Sequence, residues 1–156
     1  MRSSSIVNVY RDLPGDPKPP CSLVTKDPDS RTSQKKKKII VVDDDAIIAE
    51  SLADILNGEG FETTAVFSGP DAINRARAIK PDIIVSDVVM PEMSGIEAAK
   101  SIREFLPQCR VILFSGQALT NDLLAEARAQ GYKFEMLAKP VNPNSLIAVL
   151  RSKTEQ

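Results

Sequence analysis

The sequence predicts an α/β fold, a (βα)5 unit with a doubly wound, parallel five-stranded sheet behind a disordered N-terminal arm. Three observations predict it. From residue 39 onward, short runs of Ile, Val, Leu and Phe alternate with longer segments whose apolar residues recur at helical spacing. The connections are short, and such alternation covers both faces of a parallel sheet with helices. Four of the strand-like runs end in polar or charged residues, as expected at the carboxyl edge of a parallel sheet.

Residues 1–34 carry Pro14, Pro17, Pro19, Pro20 and Pro28 among Ser, Asp and Lys without periodicity, a composition that cannot build a core. The arm is assigned to 1–36 and the folded domain to 37–153. Lys35 to Lys38 form a solvated basic flank. The first strand is expected over 38–43 and a helix over 46–57. In that helix Ile48, Leu52, Ile55 and Leu56 are expected to form the buried face, Asp45 to cap the start, and Gly58 and Gly60 to end it. A second strand follows over 61–67. Gly69-Pro70 opens a helix to about Ile79, and Ile83-Ile84-Val85-Ser86 leads a buried third strand to Asp87. A helix from Gly95 to Leu106 ends at Pro107. The fourth strand spans 110–114 and the fourth helix 119–130, closed by Gly131. The fifth strand, over 132–138, is less apolar and expected at an edge, and the last helix runs from Pro143 to about Lys153.

The formal net charge of -1 hides an asymmetry. Residues 1–38 hold nine of the 20 Lys/Arg and four of the 21 Asp/Glu, so the folded part is acidic, which argues against nucleic acid as a direct partner. The chain has no histidine, which excludes Ser-His-Asp and Cys-His catalysis and His-based zinc sites. Cys21 and Cys109 are too few for a zinc cluster or a disulfide framework, and Cys109 reads as a plain reduced thiol. No apolar run approaches the roughly 20 residues of a membrane span, and no signal-peptide core precedes the fold, so no membrane is expected and the cytoplasm is the expected location.

The polar strand ends define a candidate site. They are Asp43 and Asp44 after Ile39-Ile40-Val41-Val42, Asp87 after the third strand, Ser115 after Val111-Ile112-Leu113-Phe114, and Lys139 after Met136-Leu137-Ala138. Carboxylates that close cannot all stay ionised without a cation. Few, hard oxygen ligands suit Mg²⁺, an Asp carboxylate is a competent acceptor for a phosphoryl group, and a metal with Lys139 would neutralise charge in such a transfer.

Val41-Val42-Asp43-Asp44-Asp45, Ser86-Asp87-Val88-Val89-Met90-Pro91 with Ser94-Gly95, Phe114-Ser115-Gly116 and Ala138-Lys139-Pro140 resemble the receiver domain of bacterial two-component response regulators. The resemblance covers about residues 37–153 and implies a flavodoxin-like fold. It implies Asp87 as phosphoacceptor, Asp44 and Asp87 with the backbone carbonyl of Val89 as direct Mg²⁺ ligands, and Asp43 as a ligand through water. It makes Ser115 the switch hydroxyl, has Lys139 pair with the phosphate, and makes Lys139-Pro140 a cis peptide. Three departures from the family pattern matter, the last at two positions. Ser94 stands where Asp is frequent. Met136 occupies the aromatic switch position, Phe134 being expected on the opposite face of the strand. Val89 and Gln117 occupy positions that tune how water reaches a phosphoaspartate.

The function implied is a phosphoacceptor switch in a two-component phosphorelay, without an output domain of its own. It would catalyse only its own phosphoryl transfer and dephosphorylation. The partners implied are a sensor histidine kinase or phosphotransfer protein, and a downstream protein bound through the fourth helix, fifth strand and fifth helix. Two other readings compete. One is a Mg²⁺-dependent phosphatase of the haloacid-dehalogenase type, with Asp43 and Asp45 as its Asp-x-Asp; it lacks the usual Thr after Asp45 and an acidic pair after Lys139. The other is a pseudo-receiver that only binds partners.

Overall fold

Strands and helices alternate throughout the computed structural model, which describes residues 35–116 and 120–152. In chain order they are β1 (Lys38–Val42), α1 (Ala46–Gly58), β2 (Glu62–Val66), α2 (Gly69–Ile79), β3 (Ile83–Asp87), α3 (Gly95–Phe105), β4 (Arg110–Ser115), α4 (Thr120–Ala129), β5 (Glu135–Ala138) and α5 (Pro143–Arg151). The strands form one parallel sheet in the order β2-β1-β3-β4-β5, the doubly wound arrangement read from the sequence. Of the N-terminal arm only Lys35 and Lys36 are described, both exposed, and Gln117 lies outside the described residues. The last helix ends at Arg151, with Ser152 as its C-cap, two residues short of the expected Lys153.

Alternation along the strands sorts the core into layers. Ile39 and Val41 of β1, Ile83 and Val85 of β3, and Ile112 and Phe114 of β4 pack with Leu52 and Leu56 of α1 and Leu146 and Leu150 of α5. Ile40, Val42 and Ile84 face the other way, onto Ala72 and Ala76 of α2 and Ile102 of α3. Val111 and Leu113 meet Ile96, Leu124 and Ala127 of α3 and α4. The first series has a consequence for chemistry. Asp43 continues the phase of Ile39 and Val41, Asp87 continues Ile83 and Val85, and Lys139 continues Leu137, which packs against that same layer. Three polar side chains therefore emerge on one face of the sheet, one step above its apolar floor.

Asp45 caps α1 as expected, its Oδ1 accepting from the amides of Ile47 (3.0 Å) and Ile48 (3.4 Å). Asp45→Ala is expected to lower stability by about 1 kcal/mol, read as a reduced denaturation midpoint. The buried face of α1 differs from the expectation. Ala49, Leu52, Ala53 and Leu56 are buried, whereas Ile48 and Ile55 are 41% and 40% exposed. Helical spacing allowed a wide stripe, and the neighbouring elements cover only the half that carries the two alanines.

β5 is shorter than expected. The Tyr132 amide completes the end of α4 by donating to the Ala127 carbonyl (2.9 Å), and so cannot join a ladder. Its ring stacks on Phe134 at 5.8 Å between centroids. Phe134 was expected opposite Met136, yet both pack against the cluster beneath α3 and α4, as residues two apart on an extended chain must. At the far end of the sheet from Asp87, the Arg110 guanidinium forks onto Glu135 (Nη2 to Oε1, 2.7 Å) and donates to the Val149 carbonyl of α5 (2.9 Å). Cys109 is a buried thiol whose pKa is pushed up to about 12, chiefly by desolvation, so it is inert at neutral pH. Among the described residues no helix is long and apolar enough to cross a membrane.

Candidate functional site

The site forms where the carboxyl ends of β1, β3, β4 and β5 meet. Asp43 follows β1, and its amide extends the ladder by donating to the Val66 carbonyl at 3.2 Å. Its Oδ1 accepts from the Asp45 amide at 2.9 Å. Its Oδ2 is buried and lacks a hydrogen-bond partner, with the Lys139 ammonium 3.9 Å away. Asp87, the last residue of β3, is 6% exposed. Its Oδ1 accepts from the Val89 amide (3.2 Å) and its Oδ2 from Lys139 Nζ (2.8 Å). Lys139 is held in place because its own amide continues the β4–β5 ladder, donating to the Ser115 carbonyl at 3.1 Å. The Lys139-Pro140 bond is cis, as the resemblance implied.

Each expected site residue thus has a place. Asp43, Asp87 and Lys139 converge, and exposed Asp44 brings a carboxylate oxygen within 4.8 Å of those of Asp43 and Asp87. Ser115 is half-buried at the end of β4, paired in register with Ala138. The Val89 side chain is 55% exposed, and its contribution to the Asp87 carboxylate is the amide. Ser94, where Asp is frequent, caps α3: its Oγ accepts from the Glu97 amide (3.1 Å) while Glu97 Oε2 accepts from the Ser94 amide (2.8 Å). The Ser94 amide, and after it the Ser94 hydroxyl, hold the Glu97 carboxyl below its ordinary range. A serine here keeps the helix start that an aspartate would also supply.

The electrostatics are those of a strained cluster. Desolvation raises the Asp43 pKa. The Asp45 amide and Lys139 pull it down, the charges of Asp87 and Asp44 push it up, and the net direction is upward. Burial alone would lower Lys139, but its hydrogen bond to Asp87 and the charges of Asp87, Asp43 and Asp44 outweigh that and raise it. One ammonium serves three carboxylates, and one buried oxygen is left without a donor. This donor set of hard oxygens could hold a small divalent cation, and Mg²⁺ fits it.

Millimolar Mg²⁺ is accordingly expected to raise the melting temperature by mass action, the stabilisation being about 2.7 kcal/mol at a hundredfold excess over Kd. Asp44→Asn should abolish most of that gain and melt no lower than wild type without metal. A melting temperature indifferent to Mg²⁺ in both proteins would exclude a cation at this cluster.

Two residues named in the sequence only as parts of a motif gain a role of their own from the structure. Ser86 is a buried hydroxyl donating to the Asp87 main-chain carbonyl at 2.9 Å. Gly95 lies so close to that carbonyl that a Cβ there would stand 2.0 Å from its oxygen. A signal for Ser86 did exist, as a lone hydroxyl directly after the apolar run 83–85 in a buried strand. The Gly95 contact joins two elements, and the motif that contains Gly95 does not state it. Exposed Ile47, with Ile48, Ile55, Pro140 and Val141, also lines an apolar groove that reaches Asp43 and Lys139.

Comparison with known proteins gives this geometry a family. Residues 39–151 match the model of the response regulator receiver domain. The chain is 32% identical over 106 residues to the chemotaxis protein CheY of Thermotoga maritima, covering 67% of this chain and 87% of that one. It is also 32% identical over 112 residues to the DNA-binding response regulator MtrA of Mycobacterium tuberculosis, but there it spans only 46% of the relative's length and 69% of its own. The solved structure of CheY4 from Vibrio cholerae superposes with a TM-score of 0.68 at 28% identity, covering 75% of this chain and 98% of the other. A sheet of order β2-β1-β3-β4-β5 carrying Asp43, Asp44, Asp87, Ser115 and Lys139 at its carboxyl edge, together with a family match across nearly the whole folded part, means that this chain belongs to the response regulator receiver domain family.

Proposed function

We propose that the chain is a phosphoacceptor switch of a two-component phosphorelay, and that Asp87 receives the phosphoryl group. The observation that carries this is the buried Asp87 carboxylate, held by the Val89 amide and the Lys139 ammonium beside the orphaned Asp43 Oδ2. Asp87 is the nucleophile: one of its carboxylate oxygens bonds to phosphorus as the donor's P–N or P–O bond breaks, and the leaving group departs with the electron pair. Lys139 follows the charge, exchanging a carboxylate oxygen for a phosphoryl oxygen. Asp44, Asp87 and the Val89 carbonyl would hold Mg²⁺, with Asp43 acting through water; the ion, when bound, supplies neutralisation of the phosphoryl oxygens. Ser115, at the end of the neighbouring strand, is the hydroxyl for the transferred group.

Receiver domains of this family interact with histidine kinases or phosphotransfer proteins. A phosphodonor protein would dock along the apolar groove of Ile47, Ile48, Ile55 and Pro140, which leads directly to Asp43 and Lys139. The downstream protein would bind the face of α4, β5 and α5, whose strand joins the site at Lys139 and whose exposed apolar residues include Leu123.

The test is site mapping. After treatment with acetyl phosphate and Mg²⁺, mass spectrometry is expected to find one phosphoryl group, on Asp87, and none in Asp87→Ala. A phosphoryl group on Asp43 would instead favour the phosphatase reading, and an unlabelled wild type the pseudo-receiver.

A further inference from the structure

We propose that Ser86 is a positioning residue for the phosphoacceptor: its buried hydroxyl, pressed against the start of α3, fixes the main chain of Asp87 and thereby the direction of the carboxylate. The inference rests on the reading of Asp87 above. Ser86 is 1% exposed and sits in β3 between Val42 of β1 and Leu113 of β4. By alternation its side chain faces away from the Asp87 carboxylate, toward the layer of Ile40, Ile84 and Ile102. A hydroxyl in that layer has no water to bond, so its partner is decisive. That partner is the Asp87 carbonyl oxygen, 2.9 Å away.

The start of α3 completes the grip. A Cβ on Gly95 would stand 2.8 Å from Ser86 Oγ and 2.0 Å from the Asp87 oxygen, so its bare backbone already touches both. The Gly95 amide donates to the Val88 carbonyl (2.9 Å), and the Val88 amide donates to the Phe114 carbonyl of β4 (3.1 Å). The two peptide units that follow Asp87 are therefore held by a hydroxyl, a helix and a strand. From this clamped stretch leave both the Asp87 carboxylate and the Val89 amide that bonds its Oδ1. The other residues of β3 before Asp87 are Ile83, Ile84 and Val85, so packing alone would have been served by valine.

The experiment compares wild type with Ser86→Ala, Ser86→Thr and Ile102→Val, the last a loss of packing in the same layer that leaves the hydroxyl intact. Three quantities are read: NMR shifts of the Asp87 carbonyl carbon and Val89 amide in metal-free protein, the Mg²⁺ dissociation constant, and the rate constant of phosphorylation by acetyl phosphate. Ser86→Ala is expected to move both shifts, weaken Mg²⁺ and slow phosphorylation, each of the latter on the order of ten-fold, as loss of an outer-shell hydrogen bond does. Ser86→Thr, which keeps the hydroxyl, is expected to restore the shifts and the Mg²⁺ affinity toward wild type. The proposal is overturned if Ser86→Ala keeps wild-type shifts and affinity, or if Ile102→Val moves them as far. If wild type takes no phosphoryl group, the Asp87 reading fails by itself, and the shift and Mg²⁺ arms still decide the role of Ser86.

Discussion

Gly95→Ala is expected to destabilise the domain by about 3 kcal/mol, in the upper range for a single overpacking substitution. The added Cβ would lie 2.0 Å from the Asp87 carbonyl oxygen and 2.9 Å from its carbon. Both are backbone atoms of a strand paired on its two sides, and neither can rotate out of the way. Relief requires α3 to lift, which strips Ile96, Ala99 and Ile102 from their layers and stretches the bond from the Gly95 amide to Val88. Since Asp87 is the residue struck, Mg²⁺ affinity should fall along with stability. Urea denaturation would show a reduced midpoint with an unchanged slope. A midpoint equal to wild type would mean that α3 slides freely on β3.

Lys139→Met is expected to have the second largest effect, on chemistry more than on folding. Among the described residues it removes the one ammonium within 4 Å of Asp87 and Asp43, leaving two buried carboxylates facing each other. Leaving a buried charge without its partner costs about 3–5 kcal/mol, and because the Lys139 side chain is 33% exposed, solvent screening reduces the expected loss at neutral pH to about 1–2 kcal/mol. The pH dependence gives the sign. Lys139 is raised above its ordinary 10.5, so the stability it contributes is present below that pH and lost as pH climbs through the raised value. The methionine variant should lack that alkaline step. Asp43 is raised above its ordinary 3.8, so its ionisation costs stability as pH rises from there through its folded pKa. Without Lys139, which pulls Asp43 down, that pKa climbs further and the cost extends toward neutrality. The deficit of the variant should therefore shrink on acidification toward pH 4 and on addition of Mg²⁺. Phosphorylation by acetyl phosphate should fall by two orders of magnitude or more, roughly the scale of losing one preorganised charge at a transfer site. A variant that labels at the wild-type rate would remove Lys139 from the mechanism.

The sequence by itself determined the order of strands and helices and the residues at the carboxyl edge. Alternation sets which strand residues share a face, so Asp43, Asp87 and Lys139 fall in phase with the apolar layer below them wherever the helices settle. The cap at Asp45 was equally legible, because a cap is local chemistry. What spans elements was not. The exposure of Ile48 and Ile55 depends on which part of α1 its neighbours cover, and a helical stripe states only that some part is covered. The fifth strand begins at Glu135 because the Tyr132 amide is already spent on the end of α4. The unpartnered oxygen of Asp43, the 2.8 Å bond from Lys139 to Asp87, and the approach of Gly95 to the Asp87 carbonyl arise only when separate strands and a helix close on one another. Local sequence specifies backbone geometry and which way side chains alternate. The distance between two side chains carried by different elements is set by how those elements pack, and the chemistry of this site depends on such distances.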